Sequence, residues 1–197
     1  ATVTFDESRT NGNCANNYIL TRTWTASDVC NNRTIYVQTI TVQDTTKPVF
    51  TGQLPANITV NCDAVPTAPT LTATDNCGQA TVTFNESRAN GNCANSYVLT
   101  RTWTASDVCN NRTIHGQTIT VQDTTKPTFV GQLTTKITVN CDAVATAPTL
   151  TATDNCGQAT VTFDETPTPG GCIGNGGITR TWTASDVCNN RTIYVQT

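Results

Sequence analysis

The ten cysteines of this chain are the side chains best suited to covalent or metal chemistry, and their spacing is periodic. Counterparts recur every 79 residues in four series: Cys14, Cys93 and Cys172; Cys30, Cys109 and Cys188; Cys62 and Cys141; Cys77 and Cys156. Zinc clusters need cysteines about two to four residues apart, whereas those from Cys62 to Cys109 follow one another at 15 or 16 residues. Four cysteines in a unit this small are instead typical of disulfide frameworks formed outside the cytosol.

The remaining composition excludes several classes of function. Once the cysteines are paired, no nucleophile and base remain for catalysis, and the single histidine, His115, is Tyr36 and Tyr194 in its counterparts. We therefore expect no enzyme and no required cofactor. The net charge of −3 and the lack of basic runs argue against nucleic acid as a partner. No apolar stretch reaches the roughly 18–20 residues of a membrane span.

The periodicity extends beyond the cysteines and defines copies of one unit. TRTWTASDVCNNRTI occurs unchanged at residues 21–35, 100–114 and 179–193, and VQDTTKP occurs at 42–48 and 121–127. The second motif is polar and ends in proline, which is typical of a linker. It predicts a first copy reduced to its C-terminal half (1–43), a complete second copy (44–122) and a third copy that lacks its last strand (123–197).

The elements that must position these cysteines are predicted to be strands. Threonine, with 44 of the 197 residues, favours strands because its side chain is branched at Cβ. Alternation and turn signals predict five strands in the second copy. They are Asn57–Asn61, Thr70–Asp75, Ala80–Glu86, Tyr97–Ser106 and Arg112–Gln122. Short strands without helical periodicity predict an all-β sandwich, with Trp103 on the buried face of its strand.

The order of the motifs carries a family resemblance. TATDNCG (72–78), WTASDVCNN (103–111) and TITVQDTTKP (118–127) together resemble the HYR (hyalin repeat) domain. They are most similar to the cysteine-rich, immunoglobulin-like HYR-like repeats of large surface and secreted proteins in Bacteroidota. The resemblance covers the whole chain, although Asn110-Asn111 stands where the HYR pattern usually has Gly-Asn. It implies tandem immunoglobulin-like β-sandwiches, an extracellular location and no enzyme activity.

The immunoglobulin-like fold implied by this resemblance suggests a pairing of the cysteines. In such a sandwich the loops that carry Cys77 and Cys109 lie at one pole, and the other two cysteines of the copy fall toward the opposite pole. The implied bonds are Cys62–Cys93, Cys77–Cys109, Cys141–Cys172 and Cys156–Cys188. Cys14 and Cys30 then have partners outside residues 1–197. Three pairings are available to four cysteines, so two alternatives stay open for each copy.

Two further kinds of site are predicted near the linkers. Aspartates that would share one pole could hold a calcium ion between consecutive copies, since Ca²⁺ takes 6–8 oxygen ligands. They are Asp44, Asp75, Asp107, Asp123, Asp154 and Asp186. The alternative is that each aspartate caps its own turn. Asp-Thr-Thr also fits the O-glycosylation pattern of Bacteroidota, so the resemblance implies Thr45 and Thr124 as candidate glycan carriers.

Two functional hypotheses follow. In the first, the chain is a structural extracellular protein whose disulfide-stapled sandwiches build a surface filament or stalk, with other copies of itself as partners. In the second, the chain is an adhesin module that binds glycans or a host surface. Its natural binding element would be the divergent glycine-rich loop 166–177.

Overall fold

The computed structural model describes residues 1–170 and 176–197 of the chain. Every regular element in these residues is a β-strand, which confirms the predicted all-β class. The strands are β1 (Thr2–Asn11), β2 (Tyr18–Ser27), β3 (Arg33–Val42), β4 (Val49–Thr51), β5 (Ile58–Asn61), β6 (Thr72–Thr74), β7 (Thr81–Asn90), β8 (Tyr97–Ser106), β9 (Arg112–Gln122), β10 (Thr128–Phe129), β11 (Ala152–Thr153), β12 (Thr160–Pro169), β13 (Gly176–Ser185) and β14 (Arg191–Gln196).

Corresponding strands of the three copies form corresponding sheets. Their orders are β1-β2-β3, β5-β9-β8-β7 and β12-β13-β14, accompanied by the strand pairs β4-β6 and β10-β11. The long hairpins share one antiparallel register, with Phe5 opposite Trp24 in the first copy and Phe163 opposite Trp182 in the third. Nearly identical sequence therefore gives identical local pairing in the first and third copies.

The predicted strands of the second copy agree with the structure where alternation is strong. β8 and β9 cover the predicted ranges, whereas β5 and β6 are shorter at their ends. β7 runs on to Asn90, beyond the predicted end at Glu86, because it is an outer strand whose last residues are all exposed and carry no alternation. β4 has three residues, too few for a periodic signal, and sequence reasoning missed it.

The chain divides into two compact units that do not coincide with the copies. The first unit comprises residues 1–56, 68–86 and 101–117. It contains β1-β2-β3, the β4-β6 pair and a core formed by Trp103, which is 1% exposed. The ring of Trp103 packs 5.1 Å from that of Phe84, and its Nε1 donates a hydrogen bond to the Pro69 carbonyl at 3.2 Å. The face predicted to be buried in β8 is thus buried.

The second unit comprises residues 57–67, 87–100 and 118–197. Within it, β5 runs parallel to the end of β9, with Ile58 opposite Ile119. Ile119 and Val121 are buried against Leu99, so the C-terminal half of β9 supplies an apolar core. The third copy's Trp182 is also 1% exposed, in the same sequence context as Trp103.

The third copy was predicted to lack its last strand, and this prediction was wrong. β14 is that strand, six residues long against eleven in β9, and these six suffice to pair with β13. The apolar side chains Ile137 and Val139 remain 50% and 48% exposed. Their counterparts in the second copy pack against Ile119 and Val121, which lie in the part of β9 that extends beyond the length of β14.

Candidate functional site: the junctions between copies

The three disulfides among the described residues all join different copies of the unit. They are Cys14–Cys109, Cys62–Cys156 and Cys93–Cys188. The partners are 94 or 95 residues apart, more than one period of 79. We call the contact region around these bonds a junction. The first junction joins the first and second copies and lies in the first unit, and the second junction joins the second and third copies and lies in the second unit.

The predicted disulfides within copies were therefore wrong. The bonds Cys62–Cys93, Cys77–Cys109 and Cys156–Cys188 do not form, and Cys14, expected to have a partner outside the chain, bonds Cys109. The physical reason is the position of the partner loops. In the second junction Cys62 and Cys93 of one copy bond Cys156 and Cys188 of the next, so each bond closes between copies. The prediction had joined the two members of each pair to one another.

Three other cysteines have no disulfide partner among the described residues. They are Cys30, Cys77 and Cys141, and all are exposed. Desolvation raises the pKa of the Cys77 thiol, and the charges of Asp44 and Asp75 raise it further, so less of it is thiolate at neutral pH. The predicted bond Cys141–Cys172 lies outside the described residues, because Cys172 is in the segment 171–175.

The first junction is held by asparagine side chains as well as by its disulfide. Asn16 Nδ2 donates to the Cys77 carbonyl at 2.7 Å and lies 3.5 Å from Asp44 Oδ2. Asn17 Oδ1 accepts a hydrogen bond from the Asp44 amide at 2.7 Å. From the second copy itself, Asn111 Nδ2 donates to the Asp44 carbonyl at 3.1 Å. The linker residue Asp44, 4% exposed, is thus fixed by both copies at once.

The second junction repeats this arrangement 79 residues later. Asn95 Nδ2 donates to the Cys156 carbonyl at 2.8 Å and to Asp123 Oδ2 at 3.3 Å. Asn190 Nδ2 donates to the Asp123 carbonyl at 3.0 Å. Ser96 stands where the first copy has asparagine, and its Oγ accepts the Asp123 amide at 3.5 Å. Two independent occurrences show that the contact is a property of the repeated sequence.

Sequence reasoning missed these asparagines. Asn16 and Asn95 were assigned no role, although each follows a disulfide cysteine by two residues in the series Cys-Ala-Asn. Their recurrence at one period was visible, but a sequence motif inside a polar loop gives no indication that its partner belongs to the next copy.

The turn that carries one cysteine of each bond is ordered by an aspartate. Asp107 Oδ1 accepts the amides of Cys109 and Asn111 at 2.8 and 2.9 Å, and its Oδ2 accepts Asn111 Nδ2 at 2.8 Å. Although burial raises the pKa of Asp107, these hydrogen bonds outweigh it and lower the pKa overall. Asn110 has φ 65°, a left-handed conformation that asparagine and glycine tolerate. This explains asparagine where the HYR pattern usually has glycine.

The six aspartates proposed for calcium fall into two groups. Each of the six accepts a backbone amide of its own turn, as the capping alternative predicted, and in Asp107 and Asp186 hydrogen bonds of the same turn occupy both carboxylate oxygens. Within the remaining four, ligand oxygens of the pairs Asp44–Asp75 and Asp123–Asp154 approach within 4.8 Å. Burial raises the pKa of Asp123, although the hydrogen bond from Asn95 opposes this. Calcium binding at the two pairs stays a prediction.

The remaining predicted site residues are accessible. Thr45 and Thr124 are exposed, and each follows a buried aspartate of its linker. Glycosylation of these residues stays a prediction. The loop 166–177 is described only at 166–170 and 176–177, where β12 ends and β13 begins.

The β-sheets recur in tandem, and disulfides join the cysteines of successive copies, so the chain is a disulfide-linked, all-β repeat protein. The family model of HYR-like domains with 4 cysteines matches residues 50–121 and 129–197, and the chain belongs to that family. No curated protein matches the sequence. Both the family and the disulfides fit an extracellular protein. In the described part of the chain, no helix is long and apolar enough to cross a membrane.

Proposed function

We propose that this chain is a structural segment of an extracellular filament or stalk of the kind found on Bacteroidota surfaces, in which successive HYR-like sandwiches are covalently interlocked. The single observation that carries the proposal is the pair of disulfides, Cys62–Cys156 and Cys93–Cys188, between the second and third copies. With the backbone linker, these two bonds give three covalent connections across one junction. An array joined in this way transmits tension without depending on the strength of noncovalent contacts.

The junction contacts support the same function. The linker aspartates Asp44 and Asp123 are buried and hydrogen-bonded to both neighbouring copies. The linker prolines Pro48 and Pro127 are among the most deeply buried side chains. Buried, hydrogen-bonded linkers restrict rotation between copies, whereas flexible linkers are exposed and rich in glycine and serine. A stiff connection is what a stalk requires.

The adhesin hypothesis ranks second. Its proposed binding element, TPTPGGCIGNGG at 166–177, contains no aromatic residue. Glycan-binding surfaces commonly present aromatic rings, which supply contact area to one face of a sugar. Surface glycans thus remain a partner of lower rank than further copies of the same unit.

Two experiments test the structural function. First, a specific protease site is inserted between Thr124 and Thr125, which are exposed in the linker. We expect the cut chain to migrate as one species on a denaturing gel without reductant and as two species with reductant. The control variant Cys62→Ser/Cys93→Ser should separate without reductant, and separation of the parent chain without reductant would refute the interlocking.

Second, arrays of three, six and nine copies are imaged by negative-stain electron microscopy. We expect uniform rods whose length rises in proportion to copy number and which become flexible after reduction. Compact particles, or strings equally flexible before and after reduction, would refute the function as a filament or stalk.

A further inference from the structure

The disulfides follow one rule of sequence offset. Cys14–Cys109 and Cys93–Cys188 are the same bond one period apart, with a separation of 95 residues. Cys62–Cys156 is a second type of bond, with a separation of 94 residues. In the first type the position of Cys14 bonds the following copy at the position of Cys109, and in the second the position of Cys62 bonds it at the position of Cys156. The bonds therefore have a direction along the chain.

The same rule applies to the cysteines without a partner among the described residues. Cys30 is the counterpart of Cys109 and Cys188, which bond backward. Cys77 is the counterpart of Cys156, which also bonds backward, whereas Cys141 is the counterpart of Cys62, which bonds forward. Each unpaired cysteine is thus one whose partner, by this rule, belongs to a copy beyond residues 1–197.

We propose that Cys30, Cys77 and Cys141 are half-sites for further copies of this unit in the same polypeptide, and that each forms the bond its counterpart forms here. This inference rests on the proposed function, because it names the partner that an interlocked array requires. Every internal copy then gives two cysteines to the next copy and takes two from the copy before.

The local geometry of two half-sites already matches that of their bonded counterparts. The Cys77 amide donates to Asp75 Oδ1 at 2.9 Å, and its carbonyl accepts Asn16 Nδ2 at 2.7 Å. The corresponding distances at the bonded Cys156 are 2.9 and 2.8 Å. The backbone on both sides of the thiol is therefore held in the arrangement found in the completed bond.

The turn that carries Cys30 likewise has the hydrogen bond found at its bonded counterparts. Its amide donates to Asp28 Oδ1 at 2.8 Å, the distance found at the bonded Cys109 and Cys188. A thiol held in this way loses little conformational freedom when the partner sulfur arrives, which favours a specific bond over random oxidation.

Formation of each bond is a two-electron oxidation. Two thiols lose two protons and two electrons and form one S–S bond. The electron acceptor we assign is a small disulfide such as oxidised glutathione, which is reduced to two thiols through a mixed-disulfide intermediate.

The test extends the full chain by one copy, so that Thr197 is followed by a second copy of residues 119–197. The protein is refolded with oxidised and reduced glutathione, its remaining thiols are alkylated, and its peptides are mapped by mass spectrometry without reduction. We expect Cys141, alkylated in the unextended chain, to be bonded to the appended counterpart of Cys156. Cys30 and Cys77 should stay alkylated in both proteins.

A bond between Cys141 and Cys172, or an alkylated Cys141 in the extended chain, would overturn the proposal. As the matched control, serine replaces the appended counterpart of Cys156, and Cys141 should become alkylated again while the three original bonds are kept. Refolding a mixture of ¹⁵N-labelled and unlabelled chains separates bonds within a chain from bonds between chains. Crosslinked peptides of mixed label would overturn the assignment to the same polypeptide.

The outcome is independent of filament formation. Extended chains that carry the expected bond but appear as compact particles in the microscope would refute the filament and keep the bonding rule. Uniform rods without the bond would refute the bonding rule and keep the filament.

Discussion

Removal of one disulfide at the second junction should lower the free energy of unfolding by an amount set by loop length. Each bond alone closes a loop of 94 or 95 residues, which corresponds to about 4.7 kcal/mol in the chain-entropy picture. With Cys93–Cys188 in place, Cys62–Cys156 closes a shorter loop, made of the segments between the two bonds and about 60 residues long. The expected loss for Cys62→Ser is then about 4.3 kcal/mol.

Guanidinium unfolding, followed by the fluorescence of the buried Trp103 and Trp182, measures this loss. For a denaturant slope of about 4 kcal/mol per M, the midpoint should fall by about 1 M. The matched control is Cys30→Ser, which changes an exposed cysteine without a described partner. A surface change of this kind should alter the free energy of unfolding by less than about 0.5 kcal/mol.

A double-mutant cycle decides the pairing. Because Cys62 and Cys156 share one bond, the double variant Cys62→Ser/Cys156→Ser should be no less stable than either single variant, within about 0.5 kcal/mol. If the bonds lay within copies, the two substitutions would break different disulfides and their effects would add. Additive losses, or unchanged stability in the single variants, would refute the bonding between copies.

Three further predictions use the same chain. Trp103→Ala should lower the free energy of unfolding by about 3–5 kcal/mol because Trp103 is fully buried. Trp24→Ala, in the same fifteen-residue sequence but only partly buried, should lower it by less than half of this in the same denaturation assay. Equal losses would contradict the burial argument. Hydrogen bonds from Asn32 lower the pKa of Asp28, so the stability it contributes is present above its unfolded pKa and is lost as the pH falls through its lower folded pKa. Burial raises the pKa of Asp123, so the stability it contributes is present below its unfolded pKa and is lost as the pH rises through its folded pKa. Carboxyl ¹³C NMR titration should place the midpoints of Asp28 and Asp123 on opposite sides of 3.8, the ordinary pKa of aspartate. Midpoints on the same side would contradict this assignment. Calcium should raise the melting temperature of the parent chain but not of a chain with Asp44→Asn/Asp123→Asn, which removes one carboxylate from each pair, as measured by calorimetry. Equal shifts in both chains would exclude the aspartate pairs as the sites.

The sequence was sufficient for features that depend on neighbours along the chain. The alternation in Tyr97–Ser106 predicted both the strand and the burial of Trp103, and Asp107 was correctly proposed as a turn cap. These features follow from periods of two residues and from hydrogen bonds across two to four residues. They therefore appear within any window of ten residues.

Disulfide partners could not be predicted in this way, because repetition removes the distinguishing information. Cys109 has the same surroundings as Cys30 and Cys188, so the sequence gives equal grounds for a bond within a copy and a bond between copies. The choice depends on how the loops of successive copies approach, through side chains such as Asn95. That approach is a tertiary property, and no local pattern encodes it.

The long separation of the bonded cysteines also has a consequence for biosynthesis. While a chain emerges from its N-terminus, Cys62 meets Cys93 before its native partner Cys156 has appeared. Loop-closure entropy favours the nearer cysteine by about 1 kcal/mol, roughly fivefold, since the native loop is about three times longer. Correct oxidation therefore requires that the next copy folds and docks through Asn95 before the thiols react. Oxidation of an emerging chain that is too rapid would trap the wrong bonds, so the rate of thiol oxidation must be matched to the rate at which copies are delivered.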